Sequence, residues 1–376
     1  MSNKKNVYYN IDKIDEEDAL FNIIYGERSG GKSYQAKHKK GIIPYLNSIV
    51  KDSLNKDRFI LMRRWKEEIT VDKIEQYLAD IDVAGLTNNV YNCFVIKKKR
   101  IHLALYDPED GKISNVGDHI GYVVALNTEQ HYAGGSYLDV KNIIFEEFIS
   151  RSAPYLADEP NKFLNFWNTV DRKRGVVRCW LLGNSISRIC PYFPDWGLID
   201  IVRKQKLGTI AVTYADTGTY DENNNPIKIK IAIEYCDNSS KQGITFGTHK
   251  NMLNRGEWQS DLQPHLPCSR KEYTRLFVIG FQFKTFKFIG ELLQGKDNNI
   301  IWHIYPYDKK EFKKNTIIIS DIIKPDKYYQ RNIYDVTIKN ERLHKILDTF
   351  RESNIFYATD LVGTDFKQSI DFIIKK

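Results

Sequence analysis

The sequence predicts an α/β protein: a domain built on a mostly parallel sheet with helices on both faces, followed by a smaller α+β domain. Three observations predict it. Short apolar runs alternate with polar, helix-compatible stretches through the first half, one of those runs ends in a glycine-rich loop, and the pattern becomes β-rich with a helical tail after a turn-rich stretch. The 376 residues fit two domains at roughly 100–200 residues each. The boundaries read as 1–207 for the first domain, 208–264 for a connector and 265–376 for the second.

Taken in order, residues 21–25 form an apolar strand that ends in glycine, and residues 32–45 follow as a helix. Arg58–Arg63 is a second compact strand and residues 71–84 a polar helix. Residues 94–106 alternate like a hairpin strand around basic residues, 121–126 are β-rich, and 142–145 lead into acids. Residues 163–172 have the periodicity of an amphipathic helix, and 176–182 form a buried-strand type of run closed by Gly183-Asn184. Residues 217–226 are turn-rich and 236–254 polar and irregular. Strand patterns return at 276–289, 300–307 and 316–319, before a helical segment at 340–351. No internal repeat or low-complexity tract is present.

Composition narrows the partners. The net charge of +8 favours a polyanion. The run Lys97-Lys98-Lys99-Arg100 reads either as a solvated turn or strand end or as a binding patch, the solvated turn being the plainer reading. Cys93, Cys179, Cys190, Cys236 and Cys268 lack C-x-x-C spacing and read as small thiols, not as a disulfide or zinc framework. Apolar runs such as Phe59-Ile60-Leu61-Met62 fall far short of the ~20 residues that cross a bilayer. Residues 1–10 lack the apolar centre of a secretory signal, so the expected location is cytoplasmic, with no membrane partner.

The chemistry begins at Gly26-Glu27-Arg28-Ser29-Gly30-Gly31-Lys32-Ser33, which fits G-x-x-x-x-G-K-[ST] between a strand and a helix. Gly26, Gly30 and Gly31 let the chain turn so that successive N–H groups, Ser29's among them, face a phosphate at the positive end of the helix. Lys32 then reaches the β- and γ-phosphates of ATP, and the Ser33 hydroxyl holds Mg²⁺. Arg28 has two readings, a contact to the γ-phosphate or a solvent-facing partner of Glu27.

Residues 141–147 form an apolar strand that ends in two carboxylates. In a P-loop enzyme the strand next to the loop ends with an acid toward Mg²⁺ and, in many families, a second acid that orients the attacking water. Glu146 is assigned to the metal and Glu147 to the water. Asn184, at a strand end, reads either as a sensor of the γ-phosphate or the lytic water or as a turn asparagine. Asp171-Arg172-Lys173-Arg174 closes a helix, and an arginine displayed there either caps its own helix or reaches a neighbour's γ-phosphate, an effect worth ~10³–10⁵ in rate in other systems.

The blocks Tyr25–Tyr34, Phe59–Lys66, Ile144–Ile149 and Thr169–Arg174, with Arg178-Cys179 and Gly183-Asn184-Ser185, resemble in order and spacing the genome-packaging (encapsidation) ATPase of small short-tailed phages, the Picovirinae type. The resemblance covers residues 8 to about 193. It implies a RecA-like, additional-strand (ASCE) P-loop ATPase domain and a homopentameric ring on the portal vertex of a procapsid in the host cytoplasm. It further implies Arg172, with Arg174 close by, as the trans-acting arginine finger. Arg63, Arg64 and Lys66 match a basic loop that faces double-stranded DNA. In that family a packaging RNA can tether the ring. Glu146 stands where the family has Asp.

The second domain of related terminases is an RNase H-like nuclease, which needs clustered carboxylates for two metals. The candidate first strand here, residues 277–289, carries Gln282, Lys284 and Lys287 instead. A vestigial, non-cutting domain is therefore expected, one that binds DNA, RNA or the portal through residues such as Lys284, Lys287 and Trp302. The alternatives are a cutting terminase large subunit, which the missing acids oppose, and a non-motor P-loop switch, which would need an N-K-x-D base-reading motif that the sequence lacks.

Overall fold

In a sheet covered on both faces every side chain is buried, so its strands are continuous apolar runs. β1 (Phe21–Gly26) is buried at every position. β2 (Arg58–Arg63) and β7 (Arg178–Asn184) are buried except at their two end residues, and β6 (Val140–Glu146) except at Lys141. The computed structural model describes residues 8–28, 30–51, 56–132, 134–150, 155–185, 187–237, 258, 261–284, 286–322, 324–330, 341–352 and 354–374.

The chain divides into two compact units. The first carries the described residues up to Asp237 apart from 187–189, and the second carries those three and the described residues from Trp258 onward. The first unit also contains β3 (Cys93–Lys97), β4 (Arg100–Asp107), β5 (Lys112–Ala125), β8 (Thr209–Tyr220) and β9 (Pro226–Cys236). Its nine strands run in the order β3-β4-β5-β2-β6-β7-β1-β9-β8. From β5 to β9 every pairing is parallel. Antiparallel strands β3 and β4 close one edge and β8 the other. All the parallel strands therefore present their carboxyl ends to one side of the sheet, where α/β proteins build their sites.

Two sequence expectations fail in this unit. Residues 209–236 are not an irregular connector: β8 and β9 extend the large sheet, β9 pairing directly with β1. Their sequence reads as turn because the chain between them is polar, with Asp221 accepting hydrogen bonds from the backbone of Asn223 and Asn225. Most of the remaining connector, 238–257, lies outside the described residues. The helix expected over 71–84 is broken into Val71–Leu78 and Val83–Leu86, because Asp82 accepts the Gly85 N–H at 2.9 Å and starts a new turn.

The helix after the phosphate loop is continuous but irregular. An α-helical turn Lys32–Ala36 passes into a π-helical stretch Lys37–Ile42 and returns to α at Ile43–Val50. Gly41 sits in the π stretch where a Cβ would come within 3.3 Å of the Phe59 ring, so the absence of a side chain lets this helix lie against β2.

The second unit is a six-stranded mixed sheet in the order β14-β13-β10-β11-β12-β15. These strands are β10 (Thr274–Phe283), β11 (Phe286–Gln294), β12 (Ile300–Pro306), β13 (Ile317–Ser320), β14 (Tyr329–Gln330) and β15 (Ile355–Tyr357). The single strand expected at 277–289 is a hairpin that turns at Lys284, whose φ is 52°. A helix at Asp360–Ile374 has no counterpart in the sequence reading. Trp302 is fully buried, its indole N–H donating to Thr349 Oγ1 at 3.1 Å, so it is core and not a binding surface. Lys284 is exposed, whereas the Lys287 ammonium donates to the Lys310 carbonyl and lies 5.6 Å from the Phe312 ring centroid. No helix among the described residues is long and apolar enough to cross a membrane.

Candidate nucleotide site

β1 delivers the glycine loop to the carboxyl edge of the sheet. A Cβ on Gly26 would lie 2.7 Å from the Cys236 carbonyl oxygen of β9, so only glycine allows the strands to pack this closely at the start of the loop. Gly31 has φ +95°, a left-handed conformation that favours glycine, and it starts the helix that carries Lys32 and Ser33. The Gly30 carbonyl accepts the Tyr9 N–H at 2.8 Å, which fixes the loop from the other side. Arg28 is exposed, and Ser29 lies outside the described residues.

On the side of the acidic strand β1 pairs with β7, which ends in Asn184 directly across from Gly26. This corrects the expectation that the acidic strand adjoins the loop strand: β6 lies one strand further out. The buried Lys32 ammonium donates to the Glu27 carbonyl oxygen and lies 3.4 Å from Asn184 Oδ1. Lysine and asparagine thus meet across adjacent strand ends.

Glu146 reaches the loop helix from β6. Its Oε2 accepts the Ser33 hydroxyl at 2.9 Å, and its Oε1 accepts the Tyr77 hydroxyl at 2.5 Å. Burial raises its pKa against the opposing pull of Arg63 and of the two hydroxyl donors. Tyr77 is held in turn by Lys37, which donates to the Tyr77 carbonyl, pairs with Asp80 and lies 4.4 Å from the Tyr77 ring centroid. Sequence reasoning missed Tyr77 and Lys37, because nothing in spacing ties residue 77 to residue 146. A hydroxyl and a carboxylate oxygen this close form a hard oxygen pair of the kind that holds Mg²⁺ together with phosphates and waters, so the side chains present fit that ion.

Glu147 lies at the strand end with a left-handed φ of 58°, and its half-exposed carboxylate pairs with Arg63 at 3.1 Å. Arg64 is buried. Its Nε lies 2.8 and 3.1 Å from the oxygens of fully buried Glu159, and its other nitrogens donate to the carbonyls of Glu147 at 3.2 Å and Phe148 at 2.7 Å. The expectation of a basic loop at 63, 64 and 66 is therefore corrected for two residues. Arg63 and Arg64 serve the acidic strand end, because a guanidinium beside buried carboxylate and carbonyl oxygens is held there by charge-assisted hydrogen bonds. Lys66 is exposed on the short turn Lys66–Glu68.

Arg172 caps the helix Glu159–Asp171 with φ 51°, and its exposed side chain donates to the Gly135 carbonyl at 2.7 Å. Arg174 is more tightly held, donating to the carbonyls of Asp171, Leu138, Val170 and Tyr137. Asp171 builds the turn beneath both by accepting the backbone N–H groups of Gly175, Val176 and Val177 at 2.7–3.0 Å.

Glu27 enters the motif reading only as a partner for Arg28. It is buried in the loop and its Oε2 has no hydrogen-bond partner among the described residues. Burial raises its pKa to about 7, with Lys32 opposing and Asp237 adding to the rise.

A sequence profile for the podovirus DNA encapsidation protein (Gp16) matches residues 3–234. The chain belongs to this family. The DNA packaging protein of Bacillus phage phi29 is 30% identical over 203 residues, 54% of this chain and 53% of the relative. That of Bacillus phage B103 is 30% identical over 190 residues, 50% of this chain and 51% of the relative. The chain spans about half the length of the curated relatives it matches. A chain of the bacteriophage Phi-29 viral genome packaging motor assembly is similar in fold, with a TM-score of 0.51 and 21% identity, over 98% of this chain and 100% of the other.

Two consequences of this geometry are measurable. Tyr77→Phe leaves one oxygen of a buried carboxylate without its donor and is expected to cost about 1–3 kcal/mol in denaturant unfolding. No loss of stability would show that the phenol does not hold Glu146. The second concerns pH. Glu27 binds its proton more tightly folded than unfolded, so its contribution is fully present below about pH 4.5 and is lost as pH rises through about 7. Glu27→Gln mimics the protonated acid and should match the parent near pH 4 but exceed it near pH 8, by up to about 3 kcal/mol. Parallel stability curves for the two proteins would contradict this.

Proposed function

We propose that the chain is an ATP-driven translocase that moves double-stranded DNA into a viral procapsid, working as a homo-oligomeric ring, a pentamer by its resemblance, on the portal (connector) protein. The observation that carries this reading is the convergence of Lys32, Ser33, Glu146 and Asn184 on one edge of a parallel sheet. The order β9-β1-β7-β6-β2, with one strand between the loop strand and the acidic strand, supports a RecA-like, additional-strand ATPase core.

Each residue then has a role. The loop backbone and Lys32 cradle the β- and γ-phosphates of ATP, Arg28 supplies further positive charge from the same chain, and Asn184 hydrogen-bonds the γ-phosphate or the attacking water. Ser33 and Glu146 would hold Mg²⁺, which when bound would neutralise phosphate charge. Glu147 orients the water and accepts its proton, with Arg63 fixing the carboxylate's direction. Arg172, exposed and held by one backbone contact, reaches the neighbouring subunit's γ-phosphate, whereas Arg174 is committed to carbonyls of its own chain. Lys66 faces the DNA and contacts phosphates without reading bases, as a motor that grips any sequence requires.

The second unit supports an RNase H-like reading by its order β12-β11-β10-β13-β14, antiparallel on the β11 side of β10 and parallel on the β13 side. Its buried Glu291 is engaged by Arg270 at 2.7 Å and Arg275 at 3.4 Å, and exposed Lys284 adds positive charge. These features favour binding DNA, the portal or a packaging RNA over cutting. The proposed setting is the infected cell, with the ring on the portal vertex during packaging.

The test is steady-state ATPase of the parent protein and Lys32→Ala, each with and without double-stranded DNA. The parent should show DNA-stimulated turnover, and the variant should lose it by about 100-fold or more, as when a group that stabilises developing charge is removed. Turnover in the parent that ignores DNA would overturn the motor reading.

A further inference from the structure

The tip of the β3–β4 hairpin is the run Lys97-Lys98-Lys99-Arg100, and all four residues are exposed. Lys97 pairs with Arg100 across the turn, and the two residues between them, Lys98 and Lys99, have φ of 49° and 59°. Positive φ at both central positions defines a type I′ turn, whose favoured residues are Asn-Gly. Lysines carry a Cβ that opposes this backbone. The fold therefore holds two cations at positions that favour other residues, at a local conformational cost that a merely solvated turn does not require. Among the described residues none of the four makes an ion pair. The Lys99 ammonium instead lies 3.1 Å from the Tyr132 hydroxyl and 5.3 Å from its ring centroid, which ties the hairpin to the segment after β5.

The register shows which way the tip points. Arg100 pairs with Tyr122 of β5, and the Lys99 carbonyl accepts the Val123 N–H at 2.9 Å. Farther along β5, Ala125 pairs with Arg63 at the end of β2. The tip therefore stands at the carboxyl edge of the sheet, on the same side as the phosphate loop. Lys66 follows β2, two strands from β4 in the sheet, a lateral step of about 10 Å at the usual strand spacing. That step matches about three base-pair rises of a duplex, so one phosphate backbone can run past both.

We propose that the hairpin tip Lys97–Arg100 is a second contact to the phosphate backbone of a nucleic-acid duplex, beside Lys66. The identification of that duplex as DNA rests on the packaging reading above. The shared chemistry is a backbone of closely spaced phosphates, and DNA or RNA duplex could supply it.

The test exploits the turn. Lys98→Asn with Lys99→Gly puts the favoured type I′ pair at the tip and removes two charges, so stability and binding should move apart. A second variant, Lys97→Gln with Arg100→Gln, leaves the turn residues untouched. Binding of the full chain to fluorescent 30-base-pair DNA and RNA duplexes is measured by anisotropy across a salt series, with thermal unfolding and DNA-free ATPase as controls. Expected for the first variant are unchanged or higher thermal stability, unchanged DNA-free ATPase, affinity weakened about tenfold or more, and a salt slope shallower by up to about 2. The arm that shows the loss identifies the duplex. Unchanged affinity and slope in both variants, with a parent that binds duplex, would overturn the hairpin contact alone. A parent that binds neither duplex would overturn the packaging reading and the hairpin contact together.

Discussion

One buried carboxylate ties the candidate site together. Glu146 accepts one hydroxyl from Ser33 on the loop helix and another from Tyr77 on the helix Val71–Leu78. Three segments far apart in sequence are thereby fixed to within a hydrogen bond of one another. Taking an acid out of water is unfavourable unless its oxygens find donors. Here each oxygen has one, and Arg63 adds positive charge. Because β7 separates β6 from β1, this carboxylate spans from its own strand to the helix that follows a strand two places away. The position of Lys32 between the Glu27 carbonyl and Asn184 depends on the same stacking of strand ends.

Charge in this region is arranged in pairs, and the pairs decide which cations are available to a partner. Arg64 is bound to Glu159 in the interior, where breaking the pair would strand a buried charge. Arg63 is turned to Glu147 and Arg174 to backbone carbonyls. Lys66 and Arg172 remain exposed on the surface. The proposed division between DNA contact and subunit contact rests on this difference in engagement, which counting basic residues along the chain does not reveal.

The sequence made the phosphate loop and the acidic strand legible because both are local: a glycine pattern with fixed spacing, and an apolar run ending in acids. It made the alternation of strands and helices legible for the same reason. What it could not show depends on tertiary packing. Tyr77 and Lys37 belong to the site only because the helix Val71–Leu78 packs under the loop helix. Arg64 looks like surface charge until Glu159 is brought to it. β8 and β9 read as connector because the polar turn between them masks two strands, of which only the end of β9, paired with β1, is buried, while the edge strand β8 has no buried residue. In the second unit the local patterns at 300–307, 316–319 and 340–351 were legible, as the strands Ile300–Pro306 and Ile317–Ser320 and the helix Glu341–Glu352. Its strand at 277–289 is a hairpin, and Trp302, expected at a binding surface, is core.

The proposed site is completed by a neighbouring copy of the chain. The measurement mixes Glu147→Gln and Arg172→Ala, each expected to be inactive alone, and follows ATPase activity against mixing ratio in the presence of double-stranded DNA. In a ring of head-to-tail interfaces, random assembly at equal amounts should restore activity at about a quarter of the sites, those where an intact Glu147 faces an intact Arg172. That recovery is expected, with a maximum near equal mixing. Two variants that are each inactive alone and remain inactive at every ratio, while still assembling together, would contradict it.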